Sequence, residues 1–453
     1  MRTNTKTEAN AKAKVNAIAK TNRINSAIIS LSLVLAGIFL FACNKGEEPY
    51  LLQKEDIKIE VPTEGFKTKV NQLLKINVNS VSDENIIYQW LLDGEEIAQT
   101  KNLEYMFEQA GVYNLMLIVK QNEVEYKYDF NVNVIFDEQP AIPEGATAYI
   151  TKVFDYMPAV GQFVNKLPKY EEGDTQEAMN KKVLDCIGNN NKIMITLGGF
   201  GGYVVVGFDH TIQNIKGKRD FRVLGNAFYA NANPNPDAPK GGSCEPGIIM
   251  VAYDANNNGV PDDNEWYEIA GSAHEDPTKE LWYSMAEKNG NDINRYLNYT
   301  ITYFSPEKEP SSKEEWSTYI KWEDNKGNSG YKVKNQFHKQ SYFPLWAKEQ
   351  KLSFTGTCLP QNGIDESGAG NYYVLYKFNY GYADNEINTQ DDSAIDIDWA
   401  INSKGQKVSL PGVDFIKIYT GVNQENGWLG ECSTEVLGID DLHVLGVDID
   451  TRK

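Results

Sequence analysis

The chain has 453 residues, enough for two or three domains that each bury a hydrophobic core. It carries 63 acidic and 44 basic side chains, so its formal net charge at pH 7 is −19. Because so acidic a surface repels phosphate backbones, we expect no binding of nucleic acid. The same charge is compatible with cations that bind oxygen ligands, such as calcium.

The N-terminal segment has the layout of an export signal. Several basic residues precede an apolar stretch at 27–39, and the run Leu-Phe-Ala-Cys follows at 40–43. A helix that crosses a bilayer needs about 20 apolar residues, more than this stretch offers. The segment resembles a bacterial lipoprotein signal. This resemblance implies that residues 1–42 are removed and that the acylated Cys43 anchors the chain in a membrane.

The residues that follow Cys43 bear on the destination of the chain. Asn44 occupies the next position, so the Asp that retains enteric lipoproteins in the inner membrane is absent. A lysine before two acidic residues, at 45–48, resembles the export tag of Bacteroidota lipoproteins. This resemblance implies that the protein is displayed on the outer face of the outer membrane, with 43–54 as an acylated tether. An arbitrary solvated tether is the alternative.

Residues 55–137 alternate apolar and polar residues in short runs, which predicts β-strands. The pattern Tyr88-x-Trp90, followed by Gly111-x-Tyr113, resembles an immunoglobulin-like polycystic-kidney-disease (PKD) domain. The resemblance implies a small β-sandwich with Trp90 packed between the sheets. Modules of this kind commonly act as spacers.

After a linker rich in Pro and charge, residues 146–453 predict one larger β domain. Its predicted strands are short, rich in β-branched and aromatic residues, and separated by Gly, Asn and Pro. They include 203–208, 220–224, 247–253 and 266–269. This pattern is typical of a jelly-roll-like β-sandwich, so the predicted fold class is all-β.

Three further features lie within the larger domain. Apolar spacing predicts one helix over 174–187, and the polar, Lys/Glu-rich stretch 306–330 predicts an insertion. A loose internal repeat pairs 217–245, which ends in Ser-Cys-Glu, with 412–435, which ends in Cys-Ser-Thr-Glu. Two such strand-loop-strand units fit the two halves of a jelly roll, although chance similarity is the alternative at this length.

Several strings in the larger domain resemble a class of Bacteroidota cell-surface lipoproteins with PKD-like N-terminal domains. They lie at 154–163, 198–203, 208–210, 245–247 and 412–417. Members of this class are often encoded beside TonB-dependent transporters, including those for vitamin B12 (cobamide). The resemblance therefore implies capture of a scarce nutrient, and it names no binding residue.

Four cysteines remain after Cys43, namely Cys186, Cys244, Cys358 and Cys432. Outside the cell they could form two disulfides in any of three pairings, and the sequence does not choose among them. Buried free thiols are the alternative. Their wide separation argues against a zinc site.

One loop has the spacing of a calcium site. Oxygen ligands fall at the positions that a seven-coordinate calcium uses, with a glycine at the sixth. The predicted ligands are Asp254, Asn256, Asn258, the carbonyl of Val260, Asp262 and Glu265. A turn stabilised by its own Asn and Asp side chains is the alternative.

No sequence motif for catalysis is present, so we expect a binding protein and no enzyme. Aromatic residues in loop-like sequence suggest contacts with a large, partly apolar ligand. The candidates are Trp282, Trp316, Trp322 and Trp428. A cobamide, delivered to a TonB-dependent transporter, is the favoured ligand; a glycan bound in a lectin-like manner, or a scaffold role, is the alternative.

Overall fold

The computed structural model describes residues 51–451, apart from 64, 71, 81–84, 108–110, 136–138, 231–237, 264 and 404. The predicted signal segment and Cys43 lie outside the described residues. Among the helices that are described, none has both the length and the apolar character needed to cross a membrane. The chain is an all-β sandwich protein, which confirms the predicted fold class.

The first strands form the small β-sandwich that the alternating pattern predicts. They are β1 (Ile57–Ile59), β2 (Phe66–Lys69), β3 (Leu73–Ile76), β4 (Val78–Ser80), β5 (Ile86–Leu92), β6 (Glu95–Ala98), β7 (Leu103–Met106), β8 (Gly111–Gln121) and β9 (Val124–Ile135). One sheet has the order β2-β9-β8-β5-β6, and β3 pairs with β7. Trp90 is fully buried in the core and donates its indole N–H to the carbonyl of Thr100 at 3.0 Å. The predicted core role of Trp90 is confirmed.

The remaining elements follow from residue 152 onward. They are β10 (Lys152–Met157), α1 (Gln176–Ile187), β11 (Ile195–Thr196), β12 (Tyr203–Gln213), β13 (Phe221–Leu224), β14 (Phe228–Tyr229), β15 (Gly241–Ser243), β16 (Gly247–Ala252), β17 (Trp266–Ile269), α2 (Ser272–Glu275), α3 (Tyr283–Asn289), β18 (Tyr296–Phe304), α4 (Lys313–Trp316), β19 (Ile320–Asp324), β20 (Ser329–Lys332), β21 (Lys351–Cys358), β22 (Gly363–Asp365), β23 (Tyr373–Tyr376), β24 (Ala394–Ile395), β25 (Ala400–Ile401), β26 (Gly412–Thr420), β27 (Glu435–Val436) and β28 (Gly438–Asp441).

A six-stranded antiparallel sheet, ordered β10-β12-β26-β16-β17-β25, is the centre of this part of the chain. One face carries Val204, Ile416 and Ile249, whose side chains are fully buried. Helix α1 packs its own apolar side chains, among them Met179 and Val183, into the same core. Thr175 caps that helix by accepting the N–H of the third helical residue, as expected from its Asp/Thr start.

The opposite face of the six-stranded sheet has a second core. Ile248 and Tyr419 from the sheet pack there with Tyr303 and Phe354. The latter two belong to a second sheet, ordered β20-β19-β18-β21. The stretch 306–330, predicted as an insertion, supplies α4 and β19 to this layer, so much of it is regular structure. Two sheets facing each other across an apolar core make this part of the chain a sandwich as well.

All four described cysteines are free thiols. Cys244, Cys358 and Cys432 are buried, and burial raises the pKa of each thiol above its usual value. The described cysteines are therefore unpaired thiols, three of them buried, and do not form two disulfides. Buried, protonated thiols pack as small hydrophobic residues.

Candidate functional site

An open cleft of about 450 Å³ lies where several loops of the larger β region converge. Carboxylates line its floor and aromatic rings line its rim, so we call it the acidic cleft. Its lining residues are Gln162, Phe163, Met194, Asn226, Ser243, Glu245, Asn335, Phe337, His338, Leu375, Asn426, Trp428, Leu429, Glu431, Ser433 and Glu435. The volume falls within the range of small-molecule sites, about 300–1,000 Å³.

Asp384 connects the segments under the floor. Its Oδ1 accepts the backbone N–H groups of Asn226 and Ala227 at 2.7 and 2.9 Å, and its Oδ2 accepts that of Glu435 at 2.9 Å. Its carbonyl accepts the backbone N–H of Glu245 at 2.9 Å. One buried aspartate therefore fixes the loop after β13, the approach to β16 and the start of β27.

Two glutamates complete the floor. Glu245 accepts the backbone N–H of Ser433 and the hydroxyl of Ser243, both at 3.0 Å. Glu435 accepts the hydroxyls of Ser433 and Thr196 at 2.8 and 3.1 Å. The two ends of the loose internal repeat, Ser-Cys-Glu at 243–245 and Cys-Ser-Thr-Glu at 432–435, thus meet at this site.

The three acids form a tight group. Glu245, Asp384 and Glu435 each place a carboxylate oxygen within 4.8 Å of the others. No ion pair within the described part of the chain joins them to Lys, Arg or His. Burial raises the pKa of Glu245 to about 7, and burial together with the charge of Glu245 raises the pKa of Asp384 and of Glu435 well above the usual range.

Three ionised carboxylates this close and this buried would repel one another strongly. The group is stable when it retains protons or when a cation neutralises it. Because every ligand atom would be an oxygen, a hard cation such as calcium or magnesium fits the group better than zinc or copper. Among the described residues, these three, of which Glu245 and Glu435 line the cleft and Asp384 lies beneath its floor, are therefore the group that could hold a metal ion.

A fourth acid, Glu431, also lines the cleft. Its Oε1 accepts the backbone N–H of Gln162 at 2.6 Å. Burial, with a contribution from Glu425, raises the pKa of Glu431 to about 8, while Lys332 acts in the opposite direction. Lys332 itself pairs with Glu425, 2.6 Å away, and so does not neutralise Glu431 directly.

Two aromatic side chains form the exposed rim. Trp428 is 57% exposed and Phe337 is 66% exposed, although both line the cleft. The indole N–H of Trp428 donates to the carbonyl of Asn371 at 3.2 Å, which holds the ring in place. Asn426, only 1% exposed, lines the same cleft and has an Oδ1 atom without a hydrogen-bond partner. The cleft therefore offers flat apolar surface beside several acceptors.

The structure separates the four predicted contact tryptophans. Trp428 lines the acidic cleft, and Trp322 lines another depression of about 310 Å³ next to Tyr296. Trp316 lies in α4, where Lys313 is 5.9 Å from its ring centroid. The prediction for Trp282 is wrong, because this residue is 1% exposed and belongs to the core.

The predicted calcium loop folds around Asp262. Both Asn256 and Asn258 donate their side-chain amides to Asp262 Oδ2, at 2.6 and 2.8 Å. Asp254 accepts the backbone N–H groups of Asn258 and Gly259 at 3.0 and 2.7 Å.

To bind calcium, the two amides would have to turn their oxygens inward by rotation about their last side-chain bond. That rotation would break the hydrogen bonds that Asn256 Oδ1 and Asn258 Oδ1 accept from the backbone N–H groups of Asn258 and Val260. Among the described residues, the carboxylates of this loop are less tightly grouped than those of the cleft. Calcium binding by Asp254, Asn256, Asn258, Val260, Asp262 and Glu265 stays a prediction.

Comparison with known proteins identifies one part of the chain. Residues 56–121 match the family model of the PKD-like domain, so the chain contains such a domain. A comparison with curated proteins gave no match.

Similar solved structures include a quinonprotein alcohol dehydrogenase-like protein of Bacteroides thetaiotaomicron VPI-5482, with 18% identity over 23% of each chain and a TM-score of 0.16. A SusE-like protein has 9% identity over 85% of this chain and 97% of its own, with a TM-score of 0.18. SGBP-B of the Bacteroides ovatus mixed-linkage glucan utilization locus, solved with a mixed-linkage heptasaccharide, has 12% identity over 81% of this chain and 100% of its own, with a TM-score of 0.17. TM-scores this low do not establish a common overall fold.

The carboxyl groups of the cleft predict how stability depends on pH. In the folded protein, the pKa of Glu245 is about 7 and that of Glu431 is about 8, whereas the ordinary pKa of a glutamate is 4.5. Between pH 4.5 and these raised values, the folded protein therefore binds more protons than the unfolded chain. Stability therefore falls as pH rises from about 5 to 8. We expect the melting temperature in EDTA to fall across this range, and to fall less in Glu245→Gln than in the wild type. The exposed Glu172→Gln is the control, and an equal fall in all three proteins would contradict the prediction.

The calcium loop generates a separate prediction. With free calcium near 100 times the dissociation constant, binding would stabilise the fold by about 2.7 kcal/mol, so chelation should lower the melting temperature. Asp254→Ala should remove most of that difference, because it deletes the first ligand of the loop. Asp263→Ala, which alters a position that is not a ligand, should keep it. If Asp254→Ala responds to chelator as the wild type does, the loop is not a calcium site.

Proposed function

We propose that the protein binds a glycan in the acidic cleft and does so without turning it over. The observation that carries this proposal is the position of Trp428. A large, flat ring stays exposed beside buried acceptors, although burying it elsewhere would remove about 150–250 Å² of surface from water. An aromatic platform next to polar groups is what a ligand with one apolar face and many hydroxyls requires.

The chemistry of a sugar matches the cleft group by group. The apolar face of a pyranose ring can lie on the indole of Trp428. Its hydroxyls can donate to Glu431, which lines the cleft and has no cationic partner within the described residues. Hydrogen bonds from hydroxyls to carboxylates are stronger than those between neutral groups.

The carboxyl groups of the floor serve mainly to fix loops. Asp384 and Glu245 accept backbone N–H groups from Asn226, Ala227 and Ser433. Atoms held in this way give a rigid binding floor. We therefore propose binding, and not hydrolysis, as the activity of the cleft.

The cobamide hypothesis has no observation of the structure in its favour. A corrin ring with its nucleotide loop is far larger than a sugar ring, and the acidic cleft of about 450 Å³ lies toward the small end of ligand sites. The described cysteines and histidines do not converge in it as a cobalt-binding group. We therefore prefer the glycan to the cobamide.

Localisation and partners belong to the proposal too. A lipid on Cys43 and the acidic tag after it would place the folded region on the outer face of the outer membrane. There the cleft could hold a glycan near a TonB-dependent transporter. The PKD-like domain would act as a spacer between the membrane and the larger β region.

The test is calorimetric titration of the purified protein with oligosaccharides of β-glucan, xylan, mannan and galactan, and with cyanocobalamin. We expect at least one oligosaccharide to bind, and Trp428→Ala to weaken it about tenfold, since a stacked aromatic pair contributes about 0.5–1.5 kcal/mol beyond its buried area. Trp316→Ala, which alters a tryptophan outside the cleft, is the matched control.

Binding of cyanocobalamin but of no saccharide would contradict the proposal. Equal affinities of the wild type and Trp428→Ala for a bound saccharide would contradict the assignment of the cleft.

A further inference from the structure

A second, larger cavity of about 890 Å³ lies over the face of the six-stranded sheet that carries Tyr419 and packs against the second sheet. Its floor includes Lys417 of β26, Met250 of β16 and Glu268 of β17, which are direct cross-strand neighbours. Phe354 and Thr355 of β21 form part of one wall. Because its floor and this wall are strands, this part of the cavity is preformed.

Lys417 is the unusual residue of this floor. Within the described part of the chain it makes no ion pair and no side-chain hydrogen bond, and its Nζ lies 4.4 Å from the centroid of the Tyr203 ring. One acid whose charge acts on Lys417, Asp155, already accepts the hydroxyl of Tyr203 at 2.6 Å. Burial lowers the pKa of Lys417, while Asp155 and Asp263 act in the opposite direction.

A half-buried ammonium without a bonded counterion is unfavourable, and an anion that entered the cavity would remove that cost. The cavity would have to be large enough for such an anion and would have to exclude competing acids from Lys417. Its volume meets the first condition.

The acids of the cavity meet the second condition in part. Glu268 accepts from Tyr419 at 3.3 Å and is hydrogen-bonded to His274, so each of its carboxylate oxygens already has a partner. Glu275 is exposed and also lines the cavity. Among the residues that line the cavity, these two acids stand against three cations, Lys417 and two residues of the wall, while Asp155 and Asp263 act on Lys417 from outside the lining.

The two cations of the wall are Arg295 and Lys407. Arg295 donates through one terminal nitrogen, Nη1, to the carbonyls of Ala273 and His274, which fixes its guanidinium at the wall. A guanidinium held in place is a good partner for a carboxylate. Trp266 adds a flat apolar surface to the same cavity.

We propose that this cavity is a second binding site that takes a sugar acid, with the carboxylate on Lys417 and Arg295 and the ring against Trp266. The ligand is either a free uronic acid or a uronate residue within a polysaccharide. This site is separate from the acidic cleft, and the proposal does not depend on a glycan binding there.

The test is titration of the purified protein with galacturonate, trigalacturonate and galactose. The wild type binds the two acids and not galactose, and the affinity falls as salt is added, because the attraction is between charges. Tighter binding of the trimer than of the monomer identifies a polysaccharide residue as the source, and equal binding identifies the free acid. Failure of both acids to bind, or equal binding of galactose, overturns the proposal.

Variants locate the site. Lys417→Met keeps most of the length of the side chain and removes its charge, so it weakens galacturonate binding about tenfold. Lys417→Arg retains most of the binding. Lys181→Met, at an exposed position of α1, is the control and changes nothing.

If Lys417→Met fails to fold, as its melting curve would show, Arg295→Gln takes its place with the same expectation. Unchanged affinity in the folded variant overturns the proposal. Trp428→Ala leaves galacturonate binding intact, so failure here and failure of the acidic cleft to bind a glycan are separate results.

Discussion

The larger β region depends on one buried carboxylate group, formed by Glu245, Asp384 and Glu435. These residues are far apart in sequence, yet an oxygen of each lies within 4.8 Å of the others. Carboxylate oxygens of this group accept hydrogen bonds from the backbone N–H groups of Asn226, Ala227 and Ser433. Without these bonds, the N–H groups would be unpaired in their loops. Burial of like charges is the cost of this arrangement. The cleft therefore needs protons or a cation to stay folded, which ties its shape to solution conditions.

The same constraint sets the geometry of the cleft. Because the floor is fixed by main-chain hydrogen bonds, the residues above it can be specialised for contact. Trp428 and Phe337 are exposed there and belong to neither of the two apolar cores on the faces of the six-stranded sheet, so the packing of those cores does not depend on them. In this fold the strands therefore provide stability, and the loops provide the surface for recognition.

Local patterns in the sequence predicted local structure well. Alternation predicted the strands around Trp90, and spacing with a Thr cap predicted α1. The acidic cleft was harder to predict, because Asp384 lies in no motif and acquires its role only through long-range contacts. One signal was present: the repeat that ends in Glu245 and Glu435 marked the two segments that meet, although we interpreted it as architecture.

For Trp282, the local sequence led to a wrong prediction of exposure. Its neighbours in sequence are loop-like, which suggested exposure, but its indole N–H donates to the carbonyl of Lys377 at 2.9 Å and its ring meets Phe378 edge-on. A buried tryptophan needs only one such partner, and that partner lies 95 residues away along the chain, beyond any local pattern.

The most direct test of the central claim is the infrared spectrum of the metal-free protein near pH 6.5. If the carboxylate group retains protons, the spectrum contains a band from protonated carboxyl groups, and this band shrinks in Glu245→Gln and on raising the pH above 8. A spectrum without that band, unchanged by the substitution, would show that all three carboxylates are ionised and would contradict the account.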